Sequence, residues 1–147
     1  MTAPSREDHL RRLIVEQQLM EGSAETLQQR LQILQTAIAD LLVAKTSIEA
    51  LKESEKGDPI LVPTGGGTYV NANLGDLNNL IVNIGADVAI EMGLEEAEKD
   101  ISGRLEDVEK ASRSVQQQLG QILAQMEIHR DRINRLGAEL RGEAPGV

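Results

Sequence analysis

The chain has 147 residues, a net charge of −9, no Phe, no Trp, no Cys and a single tyrosine, Tyr69. A domain of this size normally builds its interior on aromatics, so their absence excludes a large globular core and points to a thin seam of Leu, Ile and Val. The missing cysteines exclude disulfides and thiolate metal sites, the acidic balance opposes nucleic-acid backbones, and no apolar run approaches the ~20 residues of a membrane span. No hydrophobic signal region opens the chain, so the expectation is a cytoplasmic protein with no membrane and no nucleic-acid partner.

The first predicted element is a helix over 6–52. Ser5 suits its N-cap, and Asp8 stands three residues on, as in a capping box. A 3-4 repeat then runs through Leu10, Leu13, Gln17, Met20, Ala24, Leu27, Leu31, Leu34, Ile38, Leu41, Lys45, Ile48 and Lys52. A period of 3.5 sustained over this length marks a coiled coil. Gly57 and Pro59 end it.

Between 58 and 93 the pattern changes. Apolar residues become mostly β-branched, in short runs punctuated by Gly, Pro and Asn. Four strands are expected, at about 59–63, 67–74, 79–85 and 87–92. Gly65-Gly66-Gly67 closes the first hairpin and Gly85-Ala86-Asp87 the second. Two short hairpins cannot bury a core of their own, and their edges need partners. The stretch therefore reads as an assembly surface carried by Ile60, Val62, Tyr69, Val70, Leu80, Val82, Ile84, Val88 and Ile90. On this reading, Val82→Asp blocks assembly and leaves the helices intact.

A second helix is expected over 94–141, with a seam at Leu94, Glu98, Ile101, Leu105, Val108, Ser112, Val115, Leu119, Ile122, Met126, His129, Ile133, Leu136 and Leu140. Residues 142–147 read as a frayed tail. Each helix would span roughly 70 Å. The fold class is α+β, a single domain in which a long antiparallel two-helix coiled coil carries two β-hairpins at its closed end. Facing residues of such a hairpin keep a constant sum of residue numbers. A sum of 146 sets Leu27 opposite Leu119 and Gln17 opposite His129, a polar layer able to fix register.

No catalytic constellation is visible. Gly65-Gly66-Gly67 lacks the following helix and the Gly-Lys-Ser/Thr of a phosphate loop. His9 and His129 are too far apart in sequence and too few to hold a metal. No cofactor and no metal are expected. At the open end, Leu10, Leu13, Ile14, Val15, Leu19 and Met20 form a cluster wider than a two-position seam requires, with Ile133, Leu136 and Leu140 opposite and Ile128 to one side. Two readings stay open there. The cluster binds other apolar chains, or it only broadens the packing of the two helices.

The run Ile60-Leu61-Val62-Pro63-Thr64-Gly65-Gly66-Gly67-Thr68-Tyr69-Val70-Asn71-Ala72, with Ile81-Val82-Asn83-Ile84-Gly85-Ala86-Asp87-Val88-Ala89-Ile90-Glu91, resembles the alpha-type subunits of prefoldin, in their archaeal form. The likeness covers the whole chain, and two hairpins rather than one mark the alpha type. It implies a hexamer of two alpha and four beta subunits, with the hairpins joined in an oligomeric β-barrel. It also implies an ATP-independent chaperone that holds unfolded clients at the coiled-coil tips and passes them to a group II chaperonin. The implied client surface is Leu10, Leu13, Ile14, Val15, Met20, Ile133, Leu136 and Leu140. One departure stands out. Positions after Tyr69-Val70 that are often basic in relatives are Asn71 and Asn73 here, which puts any charge-based contact at that surface in doubt. The alternative reading is a non-catalytic coiled-coil scaffold. A nucleotide hydrolase built on the triple glycine is the remote third.

Overall fold

A computed structural model describes residues 5–142. The elements follow the order α1 (Arg6–Lys52), β1 (Pro59–Gly65), β2 (Thr68–Asn73), β3 (Leu80–Gly85), β4 (Val88–Met92) and α2 (Leu94–Leu140). Ser5 caps α1, its Oγ accepting from the Asp8 amide at 3.1 Å. The last turn of α1 tightens through Glu53 and Ser54 amides bonded to the carbonyls of Ala50 and Leu51. Gly57 then takes φ 93°, a left-handed conformation that ends the helix. The same device closes α2, where Gly142 adopts φ 72°. The tail expected over 142–147 lies, beyond Gly142, outside the described residues.

The chain divides into two compact units, residues up to Gln35 with those from Lys110 onward, and Thr36–Glu109. In the first, α1 and α2 run antiparallel. Arg6 Nη1 stands 3.9 Å from Glu139 Oε2, and Glu16 Oε2 stands 2.7 Å from His129 Nε2. Both pairs sum to 145, next to the expected 146. The polar layer differs in detail. His129 meets Glu16 instead of Gln17, because a glutamate on the flank of the seam reaches the ring while keeping one side in water. Gln17 stays in the seam at 8% exposure, and its Oε1 finds no donor.

The heptad reading of the two seams holds along both helices. Every seam position is buried or half-buried except Lys52 and Leu140. Lys52 forms an ion pair with Glu98, another polar seam position, in the second unit. An 18-residue window of α1 reaches a mean hydropathy of 1.2 with at most two charged residues. Seam residues such as Leu34, Ile38 and Leu41 contribute to it, and the exposed Ile33, Leu42 and Val43 add to it. Gln32, Gln35, Asp40 and Lys45 interrupt the stretch, so each uninterrupted apolar run stays far short of a membrane span.

In the second unit the four strands form two separate two-stranded sheets, β1–β2 and β3–β4. Both hairpins use one design. Gly65 pairs with Thr68 and Gly85 with Val88, each across a two-residue turn. The turn residues all have positive φ, Gly66 and Gly67 at 58° and 77°, Ala86 and Asp87 at 51° and 60°. That is the type I′ geometry favoured by strand twist. Each hairpin also carries a register shift just before its turn, at Pro63/Gly65 and Asn83/Gly85, with the glycine at φ near 100° (103° and 105°). The observed strand ends differ by one or two residues from those expected.

Candidate assembly and client-binding surfaces

Alternation along each strand sorts the hairpin side chains into faces. In β1–β2, the pairs Ile60↔Ala72 and Val62↔Val70 share one face, and Leu61↔Asn71 and Pro63↔Tyr69 the other. In β3–β4, Leu80↔Met92 and Val82↔Ile90 share one face, and Ile81↔Glu91 and Asn83↔Ala89 the other. Each hairpin thus has one wholly apolar face. The second rests its apolar face on the helices. Met92, Ile48 and Ala97 form a buried cluster, and Leu80, Val82, Leu94 and Ile101 pack against it. The first has no such floor. Ile60, Val62 and Val70 are exposed, as are Leu61 and Tyr69 on the reverse face. At the base of the first hairpin the ladder is continued by Gly57 N donating to Leu74 O and Leu74 N to Asp58 O, both 2.8 Å.

The nine hairpin residues expected at an assembly surface therefore split. Ile60, Val62, Tyr69, Val70, Ile84, Val88 and Ile90 are exposed on this chain. Leu80 and Val82 are not free in the same way, because the helices of their own unit half-bury them. Two further large aliphatics outside the expected set are exposed, Leu61 on the Tyr69 face of the first hairpin and Ile81, 78% exposed, on the second.

The open end of the helix pair splits in the same manner. Leu13, expected in the client surface, is only 5% exposed and closes the seam. Leu10, Met20, Ile133 and Leu136 are half-buried seam residues. Ile14, Val15 and Leu140 are exposed, Val15 at 53%. Leu19 and Ile128 are exposed in the same unit, as is Leu123. The outer residues Ile14, Val15 and Leu19 fall between the seam positions of the heptad, and their exposure rises from 40% at Ile14 to 67% at Leu19.

Among the described residues, no three His, Cys, Asp or Glu side chains gather where they could hold a metal ion. The triple glycine is occupied as a hairpin turn, and β2 rather than a helix follows it.

Comparison with known proteins agrees with this architecture. The Prefoldin family profile, described as prefoldin subunit, matches residues 20–139. The prefoldin subunit alpha of Pyrococcus horikoshii is 32% identical over 114 residues, which is 77% of each chain. That of Methanothrix thermoacetophila is 32% identical over 111 residues, covering 76% of this chain and 72% of the relative. Among solved structures, a filamentous PFD from Methanocaldococcus jannaschii has a similar fold, with a TM-score of 0.64, 22% identity, and coverage of 76% of this chain and 92% of that one. The profile covers both hairpins, most of α1 and nearly all of α2, and the curated relatives share the alpha designation, so the chain belongs to the prefoldin family and to its alpha-type subunits.

Proposed function

We propose that this chain, a non-enzymatic subunit with a chaperone-type role, captures unfolded proteins without ATP and passes them to a group II chaperonin. It does so within a hexamer of two alpha and four beta subunits in the cytoplasm. The observation that carries the reading is the exposure of Ile14, Val15 and Leu19 beside a seam already closed by Leu13 and its partners. Apolar contact is non-directional, so it suits clients with no common sequence. Burying one such side chain contributes about 1.5–3 kcal/mol, and a few give reversible holding. The hairpins support the assembly half of the reading. Their sheets have two strands each, so every strand keeps an unpaired edge, and the first hairpin leaves both faces exposed.

The test replaces Ile14, Val15 and Leu19 together by Ser in the full chain, reconstitutes it with beta-type subunits, and follows the aggregation of a denatured test protein. The expected result is a complex of unchanged mass with weakened protection. Undiminished protection would move the client surface elsewhere. Failure of both forms to protect would leave the scaffold reading.

A further inference from the structure

Arg104, on α2, reaches across to β3. Its Nη2 donates to the carbonyl oxygen of Asn83 at 2.8 Å, and its Nε lies 2.9 Å from Asp100 Oδ2. Asp100 sits one turn earlier on the same helix and pairs with the guanidinium by charge, although its Oδ2 makes no well-aligned hydrogen bond. Asn83 is the last regular residue of β3 before the register shift, and its own Oδ1 accepts from the Gly85 amide at 2.9 Å. The residue is thus fixed twice, its backbone by the helix and its side chain by the turn. Arg104, Ile81 and Asn83 line one cleft together with Ala44, Ser47, Ile48, Ala97 and Ile101.

We infer that Arg104 is a positioning residue, a latch that holds the β3–β4 hairpin against α2 and fixes how that hairpin is presented for assembly. The cluster under Val82 anchors the base of the hairpin, and Arg104 anchors it near the turn. The β1–β2 hairpin has neither. A planar fork is what the site uses, one nitrogen toward the carboxylate and another toward the carbonyl, and a lysine ammonium cannot reproduce it. The presentation half of the inference rests on the assembly function proposed above.

The test is amide hydrogen exchange on the full chain carrying Arg104→Ala, Arg104→Lys or Asp100→Asn. For both Arg104 variants, amides of 80–92 should exchange about three- to tenfold faster, the range expected on losing one charge-assisted hydrogen bond at a partly exposed site. Amides of 59–73 should not change. Asp100→Asn should give a smaller increase, since the donor remains. Unaltered exchange in β3–β4, or equal acceleration of both hairpins, would overturn the latch. The mass of the complex formed by Arg104→Lys with beta-type subunits separates the two layers. A loosened hairpin that assembles undiminished overturns the presentation role alone. The assembly reading itself fails only if Val62→Asp, on the other hairpin, also assembles normally.

Discussion

The two hairpins have the same turn geometry and the same shift before the turn, yet one is docked and the other is not. In β3–β4, Leu80, Val82 and Met92 lie on a cluster with Ile48 and Ala97, and Arg104 holds Asn83. In β1–β2, the equivalent face presents Ile60, Val62 and Val70 to solvent, with Val70 53% exposed. The lesson is that an apolar strand face does not say what covers it. An isolated two-stranded hairpin is marginal in water, so its persistence depends on a floor. The second hairpin has part of its floor within the chain; the first has none there, and on the function proposed above a beta-type subunit supplies it.

The largest expected effect comes from placing a carboxylate in each face. Val82→Asp would force a charge against Ile48, Met92 and Ala97, and should lower the stability of the chain itself by about 2–3 kcal/mol. This adds a cost in chain stability to the sequence-based expectation that the substitution blocks assembly while leaving the helicity of the coiled coil largely intact. Val62→Asp lies on an exposed face and should change the stability of the isolated chain by less than about 0.5 kcal/mol, while reducing assembly with beta-type subunits. Denaturation followed by circular dichroism reads the first quantity, and the mass of the complex reads the second. If both variants lost the same stability as monomers, the contrast between the hairpins would collapse.

This contrast also marks how far the sequence could be read. The helices were legible because a 3.5-residue period over more than forty residues has one structural meaning, and α1 spans Arg6–Lys52 as the pattern required. Hairpin turns were legible from glycine placement. Strand ends were less so, because the register shifts before Gly65 and Gly85 leave no separate mark in composition. At the open end the sequence set seam residues such as Leu13 beside the off-seam Ile14 and Val15, and only the exposures separate them, 5% against 40% and 53%. Docking of the second hairpin depends on contacts among residues far apart in the chain, such as Arg104 with Asn83 and Ile48 with Met92, and no local pattern carries them. The same holds for His129, whose partner is Glu16 and not the seam residue Gln17.

The turns sharpen the comparison at smaller amplitude. Gly66 has φ 58°, and nothing stands within 4 Å of where a Cβ would be. Gly66→Ala therefore creates no clash and isolates the backbone effect. An L-residue in the left-handed region costs about 1–2 kcal/mol, and β1–β2 has no packed floor to absorb it. Amide exchange across 59–73 should approach that of an open chain, while 80–92 is unaffected. Protection retained in the first hairpin would mean that its own cross-strand contacts are stronger than the exposure of its face implies.

The smallest effect has the opposite sign. Ala86 occupies in the second turn the place that Gly66 occupies in the first, at φ 51°. A residue with a Cβ is tolerated there because Val82, Met92 and Arg104 hold the flanking strands in place. Ala86→Gly relieves the backbone strain but returns freedom to the unfolded chain, which offsets about 0.5–1 kcal/mol of the gain. The net expectation is a modest stabilisation of about 0.5 kcal/mol, visible as roughly twofold slower exchange of amides in 80–92. Combining Ala86→Gly with Arg104→Lys tests why the strain is affordable at all. Once the latch is weakened the strained turn should matter more, so the glycine should slow exchange by a larger factor than in the parent chain. An equal factor in both backgrounds would show that the turn and the latch act independently, and that the base cluster alone carries the strained alanine.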